Sequence, residues 1–459
     1  MARARIPGAP RTLTARGTLV SDKLLEAAKA YIGAFRRALV ESDKEFLELV
    51  RGMRHGFSVG MHGTVVFTDE VQAAERELAK QATKRFGSER THERSVREVA
   101  RKVAFQEPTI SDIRAVANSI VRGLAEAASL EHVVVRPNRL FRLLDGITEL
   151  HVGPVRIVTR DLLNAERITA DFQHFALAAL DSDNDTHRVE ADGETSRIMI
   201  HLPDICWTVR LNGMPKGVAA QALWMIDVAV SFIRLHYQGE LGPMPRLQGV
   251  EPHPVFFPDW DDEGFIICPS TPSISFSTER KPYCYEVNEN LAQTLNAPEV
   301  KRRAELLFNA PGGSLAEHMQ QTLGWLTRGR RAYEPAERVL FFFTAIEALL
   351  SPGQGQPVTD TISRHSGVLW TNNPGQRYSI FKTVKKLNEI RSRIVHLGER
   401  SVAPAEANTV HFIAWNLACH VLKSCDLAKL HRDFLQELGE ASFGTEWPMS
   451  DGLDVNSRP

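Results

Sequence analysis

Two side chains near the end of the chain are of the types that phosphate-ester chemistry uses. Arg391 and His396 stand five positions apart in the stretch Leu387-Asn-Glu-Ile-Arg-Ser-Arg-Ile-Val-His-Leu-Gly398. An imidazole gains and loses a proton around neutral pH, so it can act as general base or general acid. A guanidinium keeps its charge and offers a fork of donors that fits two phosphate oxygens and the crowded transition state between them. Arg393, three residues before His396, lies closer to it in angle and can assist on the same phosphate.

Helical spacing has to position these groups. Ile380, Val384, Leu387 and Ile394 recur as one apolar stripe, and Arg391 falls on it. A guanidinium on an apolar stripe needs a countercharge or a partner surface. Gly398 closes the segment as a helix C-cap. Five residues on an ideal helix separate Arg391 from His396 by about 140° around the axis. Three arrangements therefore stay open: the long arginine reaches around, the helix loosens before Gly398, or the working pair comes from two subunits. Spacing alone does not single out this copy, because Arg85/His92, Arg167/His174 and Arg246/His253 show similar intervals. The stripe and the preceding helices do.

The segment Arg-Ser-Arg-Ile-Val-His resembles the Arg-x4-6-His signature of the HEPN superfamily, in particular the Apea-like HEPN group. Upstream, Arg338-Val-Leu-Phe-Phe-Phe-Thr-Ala-Ile-Glu347-Ala-Leu-Leu resembles that group's first core helix, and Thr359 to Leu369 its middle helix. The resemblance covers roughly the last third of the chain. It implies an all-α bundle whose members are often metal-independent endoribonucleases, dimeric, with the two signatures facing each other. RNA would supply its own 2′-hydroxyl as nucleophile, leaving a 2′,3′-cyclic phosphate and a 5′-hydroxyl, with no cofactor. It also implies a setting in bacterial anti-phage defence or toxin systems, with the rest of the chain sensing a trigger. Relatives often have Gly directly after the His; here Leu397 intervenes. A non-catalytic RNA-binding or scaffold protein that keeps the helical fold is the alternative, and a third reading puts the activity in the middle of the chain. Glu347 either orients Arg391 or makes a structural ion pair between the two core helices. The knob Arg328, Arg330 and Arg331 either tracks an RNA backbone or is a plain exposed surface.

Composition limits the rest. Of 459 residues 43% are hydrophobic and 24% charged, and Lys+Arg 55 against Asp+Glu 56 gives a formal charge of −1. No global basic field exists, so any nucleic-acid contact must be local. Cys206, Cys268, Cys284, Cys419 and Cys425 are scattered without a C-x-x-C, which suggests reduced thiols and a cytoplasmic protein. No metal site is expected: the spacing of His55 and His62 fits no zinc pattern, and the loop Asp181 to Asp192 lacks the glycine and final glutamate of a calcium loop. No signal peptide is expected. Val218 to Ile233 is the most apolar run, but Asp227 at its centre favours a buried core helix over a membrane span.

The expected fold class is α+β and multidomain. A basic flexible arm (1–20) precedes a helical N-terminal region (21–130), with helices over Ser21 to Met53, Asp69 to Phe86, Glu93 to Ala104 and Ser111 to Leu130. A mixed α/β middle domain (131–285) carries strands at Val133, Ile147 to Val158, Ile198 and Ile205, and a helix over Phe172 to Leu180. A HEPN-like helical bundle (286–438) and a loose tail (439–459) complete the chain. The partners implied are RNA and a second copy through the helical domain, with no membrane.

Overall fold

The structure is a computed structural model, and it describes residues 15–40, 57–60, 63–66, 68–106, 112–138, 140–144, 146–166, 175–179, 189–192, 197–237, 265–268, 273–276, 285–352 and 358–448. His55, His62, Cys284 and the segment 180–188 lie outside these residues. The chain divides into two compact units: one of residues 1–134 and 210–222, the other of residues 135–209 and 223–459. The segments expected as a middle domain and a helical domain fall in the second unit, apart from 131–134 and 210–222.

The first unit is helical. Helices α1 (Ala15–Arg37), α2 (Asp69–Phe86), α3 (Glu93–Gln106) and α4 (Ile113–Ser129) pack around Tyr31, Phe35, Leu78, Val96, Ile120 and Leu124. Thr68 and Asp112 cap α2 and α4, their side-chain oxygens accepting from the amides of Val71 and Arg114. Buried Glu75 receives both forks of Arg101 at 2.7 and 2.9 Å, so its charge is matched inside the bundle. A small antiparallel sheet of β1 (Leu39–Val40), β2 (Phe57–Gly60) and β3 (Gly63–Val66) has the order β1-β3-β2.

The second unit joins sheets to a helical bundle. Strands β4 (Glu131–Pro137), β6 (Glu149–Val152), β7 (Val155–Thr159) and β11 (Ile205–Asn212) form a sheet of order β4-β11-β7-β6, and β5 (Phe141–Leu143) pairs in parallel with β14 (Tyr285–Val287). The expected helix over Phe172 to Leu180 is instead strand β8 (Phe175–Ala179). It runs parallel to β10 (Arg197–Leu202), with Phe175 opposite Ile198 and Ala179 opposite Leu202, while β9 (Val189–Asp192) pairs antiparallel on the other side. Phe-Ala-Leu-Ala-Ala is apolar at every position, a run that suits a helix or a central strand equally, and pairing decided it. A two-stranded ribbon, β12 (Phe265–Cys268) with β13 (Ser273–Phe276), completes the strands.

After the short helix α5 (Arg160–Glu166) comes α6 (Pro215–His236), the one helix among the described residues long and apolar enough to cross a membrane. Most of its apolar window, 72%, is buried inside the protein. The bundle follows: α7 (Glu289–Asn296), α8 (Pro298–Phe308), α9 (Leu315–Arg331), α10 (Pro335–Leu350), α11 (Val358–Trp370), α12 (Pro374–Leu397), α13 (Pro404–Ser424) and α14 (His431–Ala441). Prolines at the first turns of α8, α10, α12 and α13 start those helices where no amide partner is needed. The expectation of a loose segment from residue 439 needs correcting at its start. Helix α14 runs to Ala441, and Trp447 is buried, its Nε1 donating to His420 Nε2 at 3.1 Å and its amide to Asn372 Oδ1 at 2.9 Å.

Candidate functional site

Helix α12 carries the signature. Its start is fixed by Asn373, whose side-chain oxygen accepts from the amides of Gly375 and Gln376 at 2.9 and 3.1 Å. Its end is Gly398 at φ +66°, a left-handed position that other residues adopt only with strain. Between these ends Val384, Leu387 and Ile390 are buried and anchor the helix against the bundle.

Arg391 lies beside this buried stripe, and α10 supplies its countercharge. Arg391 Nη2 donates to Glu347 Oε2 at 3.2 Å, with side chains 30% and 23% exposed. Burial pushes the Glu347 carboxyl up from its ordinary range, and Arg391 pulls it back down. Glu347 is positioned by its neighbours on α10: Ile346, Leu349 and Leu350 are all buried, which leaves Glu347 at the edge of the core. A pair this open to solvent stabilises the fold by at most about 1 kcal/mol.

His396 stands apart. It is exposed on the last turn of α12, and among the described residues it has no hydrogen-bond or ion-pair partner. The structure therefore brings Arg391 together with Glu347 and keeps the two signature residues on different sides of one helix. Arg393 is tied to Glu399, its Nε donating to Oε2 at 2.7 Å, and is 47% exposed. Val395 and Leu397, on either side of His396, are 50% and 75% exposed, high values for aliphatic side chains.

The arginines at the end of α9 are placed differently from the expected solvent-facing knob. Helix α9 runs straight through Thr327 to Arg331, so the knob is its last turn. Arg330 is 1% exposed and lies near fully buried His411, and Arg328 and Arg331 close on the Asp227 carboxylate of α6. Arg331 Nη1 is 2.8 Å and Arg328 Nε 3.2 Å from its two oxygens. The Arg328 guanidinium also lies 4.7 Å from the ring of Trp224 and 5.1 Å from that of Trp325. Thr327 donates to the Asp227 carbonyl at 2.6 Å. Gly324 makes the fit: a Cβ there would stand 2.3 Å from the Trp224 ring. A buried carboxylate demanded these charges, so the turn is tied to the interior, with Arg330 buried and Arg328 and Arg331 33% and 24% exposed at its edge. The sequence held the signal, since an aspartate at the centre of the most apolar helix needs cations nearby.

Several histidines belong to the core and were not singled out from the sequence. His318 and His431 stack at 3.5 Å, and each has a ring nitrogen 2.8 Å from a carbonyl of α10, of Ala348 and Leu349 respectively. Burial pushes His365 and His431 down to about 4. His411 is stacked on Phe342, fully buried and held neutral by burial and by Arg330, Arg234 and Arg338. None of these is placed to meet a solvent-borne substrate as His396 is. Cys206, Cys419 and Cys425 are free, and burial raises Cys206 and Cys425 to about 12, which leaves them poor nucleophiles. Among the described residues, no three His, Cys, Asp or Glu side chains gather closely enough to share a metal ion. No protein-family profile, curated protein or solved structure matches the chain.

Proposed function

We propose that the chain is a metal-independent endoribonuclease of the HEPN type, acting as a homodimer with Arg391 and His396 as its catalytic pair. The observation that carries the reading is the end of α12. There a guanidinium 30% exposed meets Glu347, and an imidazole with no partner among the described residues stands in solvent. In the proposed step His396 takes the proton of the 2′-hydroxyl, the 2′ oxygen attacks phosphorus, and the bond to the 5′ oxygen breaks. A proton returns to that departing oxygen. Arg391 neutralises the charge that builds on the non-bridging oxygens. The angle of about 140° between the two residues on an ideal helix supports a site completed by two subunits. Exposed Val395 and Leu397 beside His396 offer the apolar surface a second copy would cover. The resemblance implies a setting in bacterial defence or toxin systems.

Purified full-length protein incubated with labelled RNA in excess EDTA tests this. Cleavage should persist, leave 2′,3′-cyclic phosphate ends, and fall by roughly 10²- to 10⁴-fold in His396→Ala and in Arg391→Ala. Ends bearing 3′-hydroxyls, or activity only with added divalent metal, would overturn the chemistry; a strict monomer by light scattering would overturn the shared site.

The second reading, a non-catalytic RNA-binding or scaffold protein, draws support from the Glu347 contact, which occupies the guanidinium meant for phosphate. RNA binding without cleavage, equal in the parent and both variants, selects it.

A further inference from the structure

We infer that the first half of α12 and the turn after α14 form a base-stacking groove for single-stranded RNA, aligned with His396 along one face of the helix. This rests on the reading of the chain as RNA-directed and adds where the strand lies. The groove has a volume of about 570 Å³, and Arg364, Arg377, Tyr378, Phe381 and Phe443 line it. Two of its aromatic side chains are open to solvent: Tyr378 is 59% and Phe443 85% exposed. The rings of Tyr378 and Phe381 lie nearly parallel, 8° apart in plane, with centroids 6.3 Å apart.

Cations sit on these rings. The Lys382 ammonium is 4.4 Å from the Tyr378 centroid and that of Lys385 5.8 Å from Phe381. Arg377 is held rigidly, its guanidinium donating to the Thr371 carbonyl, the Ala441 carbonyl and Asn372 Oδ1 at 2.6, 2.9 and 2.7 Å. Against these four basic groups stand two acids, Glu446 in the wall and Asp360, which pairs with Lys385 at 2.9 Å. Flat rings interleaved with cations are how proteins hold single strands: each ring takes a base face, and each cation meets the backbone. A duplex, whose bases are already stacked, gains nothing from such rings.

Helix geometry links the groove to the proposed chemistry. From Tyr378 to His396 is 18 residues, five whole turns at 3.6 residues each, a rise of about 27 Å. The two therefore share a face. Lys382, Lys385 and Ser392 fall along the same stripe, as does one acid, Glu389. A strand stacked at Tyr378 is led along this face toward the imidazole.

The test is fluorescence anisotropy in EDTA with a labelled, unstructured RNA of about twelve nucleotides, within the usual footprint of single-strand binders. The full chain carries His396→Ala so that the probe stays intact. Tyr378→Ala and Phe443→Ala should each weaken binding roughly 5- to 100-fold, Tyr378→Phe should keep it, and a duplex of equal length should be indifferent to all three. Both side chains are exposed, so truncation opens no core cavity. Unchanged affinity in both alanine variants would overturn the groove, as would equal losses for single strand and duplex. So would a switch of oligomeric state in place of lost RNA binding, which would mark the face as a contact between copies. Groove-dependent binding by a parent chain that cuts no RNA would sink the nuclease reading alone.

Discussion

Two of the acid–arginine contacts in the second unit, one at Asp227 and one at Glu347, differ in depth and in the number of their counterions. Asp227 is 3% exposed and closed on by Arg328 and Arg331, with two indole rings around one of them. Glu347 is 23% exposed and meets a single arginine at 3.2 Å. In the first the acid is shut from water and divided between two arginines, whose own side chains are still 33% and 24% exposed. In the second the acid is partly open to water and has one counterion, Arg391. Residue type alone does not distinguish them. Depth and the number of counterions do.

Three experiments break or sharpen this contrast. The largest effect belongs to the closed pair: Asp227→Asn leaves two guanidiniums facing each other without their acid, and should destabilise the second unit by about 3 kcal/mol. Chemical denaturation followed by tryptophan fluorescence, to which Trp224 and Trp325 contribute, reports it, and a loss under about 1 kcal/mol would show that the clamp is loose.

The next concerns interior histidines, the counterparts of exposed His396. A histidine held down to about 4 in the folded state, as His431 is beside His318 and His365, binds fewer protons folded than unfolded between about pH 4 and 6.5. Its stabilising share is complete above 6.5 and is lost as pH falls toward 4, by up to about 1.4 kcal/mol per pH unit. His431→Gln should therefore lose about 1.5 kcal/mol less than the parent between pH 6.5 and 5. Parallel stability curves would remove the buried imidazole from the account.

The smallest effect belongs to the open pair. Glu347→Gln should shift unfolding by less than about 1 kcal/mol. A shift as large as that of Asp227→Asn would place Glu347 and Arg391 in the same structural class as the clamp.

Much of the helical architecture was legible from the chain. Asp69–Phe86 has its capping threonine, acids in its first turn and a closing glycine, and its limits match the expectation. The Gly398 end of α12 was equally plain. Local signals sufficed there because caps and periodicity act within one turn. They failed at Phe175–Ala179, where an all-apolar run takes its form from a distant strand. They failed again at Arg330, which read as part of a surface knob and is buried, and at Arg328 and Arg331, whose acid lies about a hundred residues earlier. At the candidate site the Glu347–Arg391 pairing was one of two readings open from the stripe alone. The aromatic groove was missed, since Phe443 joins Tyr378 and Phe381 only through the folded turn after α14.

The seating of Trp447 has a practical consequence for handling the molecule. Its indole and backbone are held by His420 and by both ends of the Asn372 amide, so the last turn of the bundle is bolted to residues far upstream. An affinity handle or fluorophore belongs beyond residue 448. A shortened version ending at Glu446 would vacate the indole's seat and strip His420 of its donor.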